Sequence, residues 1–179
     1  MPPLELTLGH LARAQAGLLR AADSVPADRW KISPADGAWC AAELVAHLIM
    51  VERAIIGGAD RICQKPPRPV PFLKRFHLPL ALVEARLIRR KTPLPLDARL
   101  IREKEAMLAE LREVRERTLA FLEEKRDRDL SPYRWPHPMV GMLSAYEWFE
   151  MIACHEVRHT KQMLEISASL PKTVASLQK

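Results

Sequence analysis

Leu4, Leu8, Leu11, Gln15, Leu18 and Ala22 recur at three- and four-residue steps, the spacing of a helix that turns one apolar face to a core. The stripe predicts a helix over residues 4–22 with one polar position, Gln15, inside it. Ser24 to Asp28 breaks the pattern. Pro34 and Gly37 then make residues 32–37 a loop, since neither is comfortable inside a helix. A second helix is expected from Trp39 or Cys40 to about residue 62, with Leu44, His47, Val51 and Ala54 on one face. The pair Gly57 and Gly58 falls late in it and leaves a kink, an early end or close packing open.

Seven of the chain's 15 prolines lie within residues 66–95, which marks a long crossover over about residues 63–96. A loop of that length is rarely structureless in a packed domain, and LALVEARLIRR at residues 80–90 has the pattern of a short helix. The third long helix is expected over residues 97–124, carried by Leu100, Met107, Leu108, Leu111, Val114, Thr118 and Phe121, with charged residues on the other face. Pro132, Pro136, Pro138 and Gly141 make residues 129–143 a loop. Ser144 with Glu147 three residues on forms a capping box, and the fourth helix runs from there to about residue 169. Four long helices with one extended connection predict an all-α four-helix bundle, a single domain over residues 1–179.

Composition narrows this picture rather than changing it. A chain of 179 residues with 48% hydrophobic content buries a full core. No stretch of eighteen apolar residues occurs and the amino terminus lacks a signal-peptide pattern, so a cytoplasmic location is expected. Cys40, Cys63 and Cys154 are an odd set at unrelated spacings, which suits reduced thiols. The net charge of +6 arises within residues 64–91, where eight basic residues stand against the single acid Glu84. With only Phe72 and Phe76 as aromatics, this run reads as a solvated basic face, which argues against a nucleic-acid or membrane partner.

The chemistry lies in CHEVRHTKQ, residues 154–162. His155 and His159 are about 40° apart around the helix, one turn from each other. Trp148, Met151, Ile152, Gln162 and Ile166 lie within about 60° of His155, so both imidazoles sit in the apolar stripe. Two unpaired buried rings cost about 1–3 kcal/mol each; a shared metal ion removes that cost, whereas the plainer reading gives each ring its own acceptor. His47, inward on the second helix, supplies a third nitrogen and completes a three-histidine site with open positions. His10 is expected to face water, and His77 falls in the crossover. His137 either overhangs the site or pins its loop, and pinning is the simpler role.

The spacing His-Glu-x-x-His is also that of zinc peptidases, with Glu156 as general base. Gln162 stands where the longer peptidase pattern has Gly, and no substrate-ordering strand is signalled. Glu156 otherwise pairs with a neighbouring helix or supports a histidine from behind. Arg158, on the other flank, faces solvent or holds an anionic group at the pocket mouth.

Three stretches together resemble the DinB-like superfamily and its YfiT-type metal-dependent hydrolases and thiol transferases. They are Trp39-Cys-Ala-Ala-Glu43-Leu-Val-Ala-His47, His137-Pro-Met-Val-Gly141-Met-Leu-Ser144, and His155-Glu-x-x-His159-x-x-Gln162. The resemblance implies an up-down-down-up bundle, commonly a homodimer. It implies a divalent ion (nickel, zinc, iron or manganese) on residues matching His47, His155 and His159. It also implies a low-molecular-weight thiol activated there against a small-molecule substrate, with Glu156, His137, Arg158 and Gln162 around it. Family members usually have Ser or Thr where Cys40 stands, and a thiol caps a helix poorly. The alternative is a non-enzymatic stress-response binding protein whose metal is structural or vestigial.

Overall fold

The computed structural model describes residues 3–71, 75–84 and 96–170. Helix α1 (Pro3–Asp23) is followed by a 3-10 turn (Ala27–Arg29) and α2 (Ala41–Cys63). In the crossover come a one-turn helix, α3 (Ala81–Glu84), and a 3-10 turn (Ala98–Leu100). Helix α4 (Lys104–Glu124), strands β1 (Arg134–His137) and β2 (Gly141–Ser144), and α5 (Ala145–Ser169) complete the order. No described helix is long and apolar enough to cross a membrane.

Contacts between side chains and backbone set the helix directions. His10 meets Glu150 and Ser24 O accepts from Ser167, so α1 and α5 run parallel. Glu52 meets Arg115 and Cys63 O accepts from Arg128, just past the end of α4, so α2 and α4 also run parallel. His47 against His155 and Trp39 against His159 make α2 and α5 antiparallel. The bundle is therefore up-down-down-up. Its two middle helices are parallel neighbours, so the chain must return the full length of the bundle between them, and this explains the long crossover.

Two helix starts are fixed by reciprocal caps. Ser144 Oγ accepts from Glu147 N at 3.3 Å while Glu147 Oε2 accepts from Ser144 N at 2.6 Å. At α2 the thiol does the same work: Cys40 Sγ accepts from Glu43 N at 3.5 Å, and Glu43 Oε2 accepts from Cys40 N at 2.8 Å. The box closes around sulfur, with the Glu43 half the shorter bond. Helix α2 runs straight through Gly57 and Gly58.

Several expectations need correction. Residues 129–143 are not all loop: β1 and β2 form an antiparallel hairpin, with Trp135 opposite Leu143. The crossover adds to its edge, since Leu78 N donates to Val140 O at 2.8 Å and Met142 N donates to Phe76 O at 3.4 Å. Gly141, at φ 107°, is required there because a Cβ would lie 2.7 Å from Phe76 O. The third long helix starts at Lys104 rather than Asp97, because Asp97 Oδ1 captures Arg99 N and the chain makes a separate turn first. Ala54 is exposed, and the buried face of α2 passes instead through His47, Leu48, Glu52, Ile55 and Ala59. The helix expected at residues 80–90 is seen at Ala81–Glu84, and its remainder lies outside the described residues. Most of the basic run lies there too, at Lys74, Arg86, Arg89, Arg90 and Lys91.

The core has two apolar halves. One gathers Leu18, Trp30, Leu44, Ile49, Met107 and Leu111; the other gathers Leu11, Ile55, Leu122, Leu143, Phe149 and Ile152. Between them each long helix contributes polar side chains: Gln15 from α1, His47 and Glu52 from α2, Arg115 and Thr118 from α4, His155, Glu156 and His159 from α5. Arg115 is the centre of this layer, only 2% exposed. Its Nε and one terminal nitrogen donate to the two Glu52 oxygens at 2.8 and 3.1 Å. It also donates to Glu156 Oε2 at 3.0 Å and Leu11 O at 2.7 Å, while Thr118 Oγ1 donates to Glu52. Such a fork offsets the cost of burying charge only while every partner is present.

Arg115→Met leaves two buried carboxylates facing each other and is expected to cost about 3–5 kcal/mol in urea denaturation at pH 7. Adding Glu156→Gln to that variant should restore part of the loss. Equal stability of Arg115→Met and the parent would show that the ion network contributes nothing.

Candidate metal centre

Helices α2 and α5 cross where the polar layer meets the bundle axis, and three imidazoles converge there. His155 Nε2 is 3.3 Å from His47 Nε2 and 3.0 Å from His159 Nε2. One ligand nitrogen from each ring lies within 4.8 Å of the others. Donors at about 2.0–2.1 Å from a tetrahedral ion are themselves about 3.3 Å apart, close to the separations of His155 from His47 and from His159.

The hydrogen-bond arithmetic points the same way. His159 Nδ1 donates to Gln162 Oε1 at 3.0 Å, which leaves its Nε2 as a lone pair aimed at His155. A ring proton on His155 Nε2 serves at most one of its two close neighbours well. A cation takes all three lone pairs at once, and an all-imidazole donor set suits a divalent transition metal. Gln162 then acts as the outer partner that fixes a ligand's tautomer.

Burial keeps two of the rings, His47 and His155, neutral. Burial pushes the His47 imidazole down to about 4 from 6.5. Burial, and after it the charges of His159, His47, Arg158 and His137, hold His155 well below its ordinary value. His47 and His159 are 5% and 6% exposed, and His155 is half-buried. Trp39 covers the inner pair, its ring 5.0 Å from His47 and 6.3 Å from His159, stacked on the latter.

The other expected site residues are distributed more widely. Gln162 is at the site. Arg158 is near enough for its charge to act on His155, and it donates to Val83 O of the crossover at 3.4 Å. Glu156 is 1% exposed and bonded to Arg115 in the polar layer; burial pushes its carboxyl up to about 7 against the pull of Arg115. His137 Nδ1 accepts from Met139 N and Val140 N at 3.1 and 3.3 Å and so pins the hairpin turn. His10, expected in water, is half-covered and paired with Glu150 because α3 and α5 close over it. Glu52, Arg115 and Thr118 were not singled out for chemistry by sequence reading. The signal was there: charged or hydroxyl residues in register with apolar stripes on α2 and α4.

The metal-free protein should lose stability as pH falls. Between 6.5 and 4 the unfolded chain binds a proton that folded His47 refuses, so its contribution is full above 6.5 and lost by 4, on the order of 3 kcal/mol. Glu156 acts with the opposite sign between 4.5 and 7, since the folded state retains its proton there. Urea denaturation in a Glu156→Gln background isolates the histidine effect, and His47→Gln in that background should reduce the slope, leaving the part that His155 contributes. An unchanged curve would contradict a neutral buried His47.

No curated protein and no solved structure matches the chain. The DinB superfamily profile matches residues 10–163, from α1 through the third turn past His155 and including all three histidines. With the up-down-down-up bundle and its histidine cluster, that match places the protein in a family: the chain belongs to the DinB superfamily.

Proposed function

We propose that the protein is a metal-dependent enzyme of small molecules, most directly a transferase that delivers a low-molecular-weight thiol to an electrophile. The observation that carries this reading is the convergence of three protein nitrogens among the described residues, a set that leaves coordination positions for a small molecule. A divalent ion held there supplies Lewis acidity, lowering the pKa of a thiol or water that binds it.

The chain's own residues do the rest. His47, His155 and His159 present unprotonated Nε2 atoms, and Gln162 fixes the tautomer of His159 through its Nδ1–H. Trp39 shields the inner imidazoles from water, so approach is from the side of His155. The charge of Arg158 reaches His155, and its guanidinium, which also donates to Val83 O, suits a carboxylate-bearing thiol. Hydrolysis of a small molecule uses the same open positions with water in place of thiol. Glu156 is engaged with Arg115, which counts against a peptidase in which it activates water.

Metal-loaded protein should catalyse thiol consumption by a small electrophile, and His159→Ala should abolish turnover while the variant stays folded. Gln162→Leu should weaken metal binding or activity by about 10–100-fold. A structural ion gives a different pair of results, a large fall in Tm for His159→Ala and no thiol-dependent turnover in the parent protein.

A further inference from the structure

Outside the three-histidine centre, a second set of donors gathers where α1, α5 and the crossover meet. One ring nitrogen of His10, a Glu150 carboxylate oxygen and Cys154 Sγ lie within 4.8 Å of one another. Glu150 and Cys154 are four residues apart, one turn of α5, which is the spacing that brings two ligands to one side of a helix. Glu84 of α3 closes the fourth side. Its carboxylate is 3.9 Å from His10 Nε2 and near enough to Cys154 to act on the thiol.

We propose that His10, Glu84, Glu150 and Cys154 form a second divalent-metal site, independent of the histidine centre, that ties the crossover to α1 and α5. Charge is the first argument. Two carboxylates face one imidazole, so the cluster is net negative even when His10 is protonated, and a divalent cation meets that demand. Donor chemistry is the second. Imidazole nitrogen, carboxylate oxygen and thiolate sulfur together suit zinc or cobalt in four-coordinate geometry better than a hard ion such as magnesium. Placement is the third. Cys154 is 3% exposed while His10, Glu84 and Glu150 are between 23% and 31% exposed, so the sulfur is sheltered and an entry path stays open. On binding, the metal–sulfur bond replaces the S–H bond and the proton passes to solvent.

Cobalt(II) titration of the metal-stripped, full-length protein tests this, because a cobalt–thiolate bond gives a near-ultraviolet charge-transfer band that three imidazoles do not. The parent should bind two equivalents and show the band. Cys154→Ser should lose the band and keep one equivalent, and a His47→Ala, His159→Ala double variant should keep the band with one equivalent. Glu150→Gln, at a partly exposed position, should weaken the band-forming site by at least about tenfold. The proposal falls if the parent shows no such band, if the band survives Cys154→Ser, or if it disappears with the two histidines. Failure of the histidine centre is separate and visible: Cys154→Ser would then bind no cobalt at all.

Discussion

Three imidazole nitrogens held 3.0 and 3.3 Å apart in the interior cannot be satisfied by hydrogen bonds among themselves. The rest of the arrangement follows from that constraint. Gln162 takes the outer proton of His159, Trp39 excludes water, and burial keeps His47 and His155 neutral. Together they turn three ring nitrogens toward one point, an arrangement suited to a divalent cation.

The bundle accommodates this because most of its buried polar groups gather in one layer. Glu52, Arg115, Thr118 and Glu156 satisfy one another beside the imidazoles, while the apolar clusters above and below supply the burial that stabilises the fold. Arg115 bonds α4 to α1, α2 and α5 at once. The position of the histidine-bearing helices therefore depends on a guanidinium that touches no histidine. Parallel pairing of α2 and α4 forces the crossover to span the bundle, and that crossover then reaches the hairpin through Phe76 and Leu78 and the face of α1 and α5 through Glu84.

Helix positions and the three histidines were legible because both rest on local periodicity. Leu4 to Ala22 and the stripe through His155 need only the angle per residue to be read. What escaped depended on distant partners. The hairpin at residues 134–144 was hidden by Pro136 and Pro138, and it forms because Trp135 finds Trp148, 5.1 Å away and stacked, and because the crossover covers its edge. The buried face of α2 was misplaced at Ala54 because Glu52 looks like a surface residue until Arg115 and Thr118 are known to meet it. His10 reads as solvent-facing on α1 alone and is covered only once α3 and Glu150 of α5 are in place. The start of α2 was expected to be weak at Cys40, yet Glu43 supplies the stronger half of its box.

The most direct test of a shared ion is a crystal of zinc-loaded protein with data collected on both sides of the zinc absorption edge. An anomalous peak about 2.0–2.1 Å from the Nε2 atoms of His47, His155 and His159 together is the predicted result. The contradicting result is no peak between those rings, each imidazole instead bonded to a separate acceptor.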